Sequence, residues 1–86
     1  MKFQYDQTKS ASNLKKHGID FEQAQLLWDD PNFVELAARS DDEPRSIVIA
    51  RFNGQYWSVV FTYRDDEIRL ISVRRSRKAE VEIYES

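Results

Sequence analysis

No cysteine occurs in this chain of 86 residues. That excludes disulfides and thiolate metal sites, and it fits a reducing compartment. Histidine occurs once, as His17, so no pair of histidines can divide acid and base roles, and a metal would find only carboxylates. Glycine occurs twice, as Gly18 and Gly54, which rules out a Gly-rich loop cradling phosphate. No apolar run approaches the roughly 20 residues needed to span a bilayer. Met1–Asp6 has no apolar stretch of signal-peptide length. There are no repeats, linkers or low-complexity segments. The expectation is a soluble, cytoplasmic protein without membrane contact, metal or cofactor.

What is present suffices for a small core. The chain is 41% hydrophobic and 13% aromatic, so Phe, Tyr and Trp supply much of the burial, and one domain over residues 1–86 is expected. Charge is segregated. The formal net charge is −2, yet Arg69, Arg74, Arg75, Arg77 and Lys78 fall in ten residues without an acid. Eight acids and one base, Arg39, occupy the span from Asp20 to Glu43. A local cationic surface on a mildly acidic chain points to an anion site rather than a general polyanion binder. Guanidinium forks suit phosphate, whose oxygens they engage two at a time.

The periodicity predicts a strand at Lys2–Tyr5, then a helix over Thr8–His17 with Asp6 before it and Gly18 as its left-handed cap. Asp20 caps a second helix, whose stripe is Phe21, Ala24, Leu27 and Trp28 and whose end is set by Pro31. Strands follow at Phe33–Ala38, Arg45–Phe52, Tyr56–Tyr63 and Glu67–Arg75, with Asn53-Gly54 as a hairpin turn. Arg77–Glu85 is helical. Segregated elements of this kind make an α+β fold with an antiparallel sheet of about four strands, two N-terminal helices and a C-terminal helix. In the last strand Ile68, Leu70, Ser72 and Arg74 share one face, and Arg69, Ile71, Val73 and Arg75 the other. An open face could then collect Arg51, Tyr63 or Thr62, and one of Arg74 and Arg75.

Three segments resemble a known family. They are Asp6–Phe21, with its Asp, Lys, Asn, Lys-His-Gly and Phe; Trp28-Asp29-Asp30-Pro31; and Ile68–Arg75 followed by Glu80 and Tyr84. Together they are similar to the BrnT toxins of bacterial type II toxin–antitoxin pairs. The resemblance implies a RelE-like fold, RNA cleavage without a metal, and inhibition of translation. It also implies a BrnA-like DNA-binding antitoxin as partner in a hetero-oligomer that reaches promoter DNA only through the antitoxin. The positions matching its motifs are Lys16, His17, Ser72, Arg74, Arg75, Glu80 and Tyr84.

Metal-free cleavage needs a group to take the 2′-hydroxyl proton, cations on the crowded phosphorus, and a donor for the 5′-oxygen. His17, Lys16, Arg74 and Arg75 are the catalytic candidates; Arg51, Arg69, Tyr63 and Tyr84 are candidates for RNA binding. Each has a plainer alternative. His17 and Lys16 suit a helix C-terminus, where a cation stabilises the dipole. Lys15 can simply solvate the helix, and Arg64 is a weaker candidate. Arg74 and Arg75 can pair with Glu80, Glu82 or the antitoxin, Arg69 can pair with an acid across the sheet, and Tyr63 and Tyr84 can be core residues. Ser72 reads as a small interior residue, with no activating neighbour in sequence. The competing functions are a non-catalytic interaction module or corepressor of a toxin–antitoxin complex, and a small nucleic-acid-binding domain.

Overall fold

A computed structural model describes residues 2–39 and 41–86. Strand β1 (Lys2–Gln4) leads into helix α1 (Gln7–His17) and helix α2 (Phe21–Ala24), which continues as a 3₁₀ turn over Gln25–Asp29. Four strands follow, β2 (Val34–Ala38), β3 (Arg45–Phe52), β4 (Gln55–Arg64) and β5 (Glu67–Arg75), and then helix α3 (Lys78–Glu85). The sheet order is β1-β5-β4-β3-β2. The last four strands form an antiparallel meander, and β1 adds to it in parallel beside β5. This is the expected α+β architecture, with the expected N-terminal strand joining the antiparallel meander as a fifth, parallel strand. Among the described residues, no helix is long and apolar enough to cross a membrane.

Local chemistry sets the helix ends. Asp6 accepts from the backbone N–H of Thr8 and Lys9. Asp20 and Gln23 form a reciprocal capping box. Gly18 ends α1 at φ 78°, and its N–H reaches Leu14 O. A Cβ at Gly18 would meet nothing within 4 Å, so only the left-handed backbone opposes a side chain there. Gly18→Ala is therefore expected to lose about 1 kcal/mol, a fall of about 5 °C in Tm at this chain length, measured by thermal unfolding.

The face of the sheet that carries α2 holds the core. Phe21, Ala24 and Leu27 pack on Val48, Ala50, Val59, Phe61, Ile68, Leu70 and Val73, all but fully buried. Trp28 stands edge-on to both Phe3 and Phe61. The strict alternation expected for β5 is corrected by a bulge. Val60 pairs with Ser72 but Phe61 pairs with Leu70, leaving Ile71 as the extra residue. Ile68, Leu70, Val73 and Arg75 therefore share the core face, and Arg69, Ser72 and Arg74 lie on the other. Without the bulge, Leu70 and Val73 could not both point inward.

The short β1 leaves the outer edge of β5 bare beyond Arg69. There Asn13 of α1 replaces a strand. Its amide donates to Val73 O and Ile19 O, both at 2.8 Å, and accepts from Val73 N at 3.2 Å. Ser10, one turn earlier, accepts from Phe21 N. These bonds fasten α1 along the sheet edge. Helix α3 crosses the opposite face over Ser58, held by Glu80 at one end and by Tyr84 and Glu85 at the other.

Candidate active site

The α1 edge and the bulged part of β5 enclose a cavity of about 210 Å³. Lys9, Ser12, Asn13, Lys16 and His17 line it from the helix, Ile71 and Ser72 from the strand. Lys9, Ser12 and Lys16 fall at helical spacing and share a stripe. Two ammonium groups, one imidazole and two hydroxyls thus surround a space that no carboxylate lines. Lys9, Ser12, Lys16 and His17 are exposed, so the cavity is open to a large ligand.

Arg74 stands two residues beyond Ser72 on the same face, bound in a fork. Its Nη1 and Nη2 donate to the two oxygens of Glu80, each at 2.8 Å. Glu80 also accepts from Arg77 N at 2.8 Å and Ser58 Oγ at 2.9 Å. The Arg74 fork, reinforced by those two donors, holds the Glu80 carboxyl down at about 2 against the pull of partial burial, so Glu80 is a carboxylate at neutral pH. The same pairing raises the guanidinium of Arg74. Nη1 also donates to Arg75 O. Among the described residues, the Nε–H and the second Nη2–H of Arg74 are unpartnered.

The other expected site residues are dispersed. Arg75 points to the core face and lies over the Trp57 ring, 5.5 Å from its centroid. It is exposed and has no carboxylate partner among the described residues. Arg51 sits beside Tyr56 at the far end of α3, two strands from Arg74, or about 10 Å. Arg69 donates to the amide of Gln4 on β1 rather than to an acid. Tyr63 lies on the core face, not with Arg51, and donates to Glu35; burial and that bond push its hydroxyl up to about 12. Tyr84 donates to Asp30, which also accepts from Arg51 N. Thr62 donates to Pro44 O, and Arg64 faces Glu43 at 3.6 Å on the surface. Lys15 is exposed and outside the cavity. The structure thus gathers Lys16, His17 and Ser72, keeps Arg74 on the strand of Ser72, and separates Arg75, Arg51 and Tyr63 from them.

Lys9 and Ser12 lie in the Asp6–Phe21 segment that carries the resemblance but were not singled out as site residues, although their helical spacing to Lys16 was a usable signal. Asn13 is the Asn of that segment, and its role went unread because it depends on an edge left by a parallel strand. Among the described residues, no three His, Cys, Asp or Glu side chains are grouped as metal ligands. The comparison with curated proteins gives no match. The family model described as a ribonuclease toxin, BrnT, of type II toxin–antitoxin systems matches residues 5–80. Covering most of the chain and all of the elements that frame the cavity, that match places this protein in the BrnT family of ribonuclease toxins.

Proposed function

We propose that this chain is a metal-independent endoribonuclease that inhibits translation, and that the cavity between α1 and β5 holds the scissile phosphate. The observation that carries this reading is the cavity's lining: Lys9, Lys16 and His17 with Ser12 and Ser72, and no acid. His17 takes the proton of the ribose 2′-hydroxyl. The 2′-oxygen bonds to phosphorus, the bond to the 5′-oxygen breaks, and water protonates the departing oxygen. Products are a 2′,3′-cyclic phosphate and a 5′-hydroxyl. Lys16 and Lys9 hold the phosphate oxygens. Arg74 presents its remaining N–H groups to the charge that builds on phosphorus, and Glu80 orients the fork. Arg75 contacts the RNA on the other side of α1. Arg51, Arg69, Tyr63 and Tyr84 serve the fold more than the substrate, since their polar groups or rings are engaged internally. A BrnA-like antitoxin, bringing the DNA-binding function, neutralises the toxin by covering the cavity.

Induced expression of the wild type is expected to arrest growth, and the purified protein to cut a labelled RNA in the presence of EDTA. His17→Ala should slow cutting by about 10²–10⁴-fold, the usual contribution of one acid–base group, with the unfolding curve unchanged. A folded wild type that neither arrests growth nor cuts RNA would overturn the proposal.

The net charge of −2 and the closed Arg74–Glu80 pair favour a second reading, a non-catalytic member acting through its antitoxin complex. In that case the toxin binds its partner normally, and every assay of cleavage is blank.

A further inference from the structure

A second cavity, of about 190 Å³, opens on the other side of the α1–α2 turn. Its chemistry differs from that of the first. Gln23, Asn53 and Gln55 contribute carboxamides, Phe52 and Trp57 contribute rings, and no charged side chain lines it. Each carboxamide carries both donors and an acceptor. Gln23 spends its oxygen on Asp20 N and keeps its NH₂. Among the described residues, Asn53 and Gln55 make no side-chain hydrogen bond. Trp57 is 7% exposed, and its Nε1–H lacks an acceptor. Arg75, an exposed residue, lies over the Trp57 ring. A neutral, planar, hydrogen-bonding group with an anion attached fits this arrangement, and a nucleotide has that composition.

The position fits as well. His17 lines the cationic cavity and Gly18, the next residue, lines this one. Gly18 has no side chain to part them, and the space a Cβ would enter is empty. An RNA strand crossing the end of α1 can place one phosphate in the first cavity and the neighbouring base in the second. We propose that the carboxamide cavity is a base subsite selecting adenine beside the cleaved bond, with Arg75 on the adjoining phosphate. A side-chain carboxamide makes two parallel hydrogen bonds to adenine, whereas guanine calls for Arg or Lys, and neither lines the cavity. Unstacked RNA bases are read in this way, by edge hydrogen bonds and aromatic or guanidinium contact. The proposal rests on the ribonuclease reading above.

The test is binding, read without cleavage. Adenosine monophosphate is titrated into the full chain while the indole N–H of Trp57 is followed by NMR, its signal assigned with Trp57→Phe. Uridine monophosphate and ribose 5-phosphate are the comparisons. The adenine nucleotide should shift the indole signal saturably and bind about tenfold more tightly than either, toward the low end of what one bidentate pair supplies. Gln55→Ala should erase that preference and Lys16→Ala should keep it. Equal binding of ribose 5-phosphate, or no shift of the indole, overturns the subsite. So does loss of antitoxin binding in Gln55→Ala without any response to nucleotide, which makes the cavity a protein contact. Adenine selection without RNA cutting sinks only the nuclease reading; cutting without base preference sinks only the subsite.

Discussion

Asn13→Ala is expected to be the most destabilising single truncation outside the apolar core, at about 3 kcal/mol. The amide of Asn13 is 7% exposed and serves three backbone groups. Val73 turns both its N–H and its carbonyl away from β4, and β1 is too short to meet them. Removing the side chain leaves a buried donor and two buried acceptors, each worth roughly 1–3 kcal/mol when unpaired and so about 3–9 kcal/mol together; partial entry of water brings the loss to the low end of that sum. Single domains have only about 5–15 kcal/mol in hand, so the urea midpoint should fall steeply while the slope of the transition holds. Asn13→Asp should be no better, because it offers an anionic oxygen to two carbonyls. A loss below about 1 kcal/mol would mean that the edge of β5 is open to solvent and that α1 is held by its apolar contacts alone.

The same residue marks the limit of what sequence alone conveys. Asp6, Gly18, Asp20 and Asn53-Gly54 act through their nearest neighbours, so the helices and the β3–β4 hairpin were legible from local chemistry. The bulge at Ile71 was not, because one extra residue in an alternating strand leaves no mark in composition, yet it decides which arginines share a face. Nor was the parallel pairing of β1 with β5, a contact between Phe3 and Ile68 that no local signal encodes. The candidate site divides in the same way. Lys16 and His17 could be singled out because a cation and a lone histidine are visible as such. The pairing of an arginine with Glu80 was also foreseen, and Arg74 makes it. The meeting of Lys16 and His17 with Ser72, and the choice of Arg74 over Arg75 as the partner of Glu80, depend on how an edge strand and a terminal helix close on the sheet.

Capture of Arg74 leads to the second large effect. Glu80 falls from 4.5 to about 2 in the folded chain. A lowered carboxyl contributes stability that is complete above its unfolded value and is lost as pH falls toward the folded one. The window is therefore from about pH 5 to about pH 2. At about 1.4 kcal/mol per pKa unit the ceiling is about 3 kcal/mol, and solvent at the partly exposed pair, where the side chains are 23% and 16% accessible, reduces this to about 2. Glu80→Gln keeps the shape but not the charge. It should lose about 2 kcal/mol at pH 7, close most of the gap to the wild type by about pH 2, where the Glu80 carboxyl is half protonated, and meet it below that. Urea midpoints across that range measure the convergence. Parallel curves, with a constant gap down to pH 2, would assign the loss to packing instead. Activity separates the two roles of the pair. If Glu80 aims Arg74 at phosphate, cleavage by Glu80→Gln at pH 7 should fall by well over the fraction unfolded, and Arg74→Lys, charged but unable to fork, should fall further while retaining most of its fold. A Glu80→Gln variant that cuts faster than the wild type would reverse the assignment and make the carboxylate a brake on Arg74.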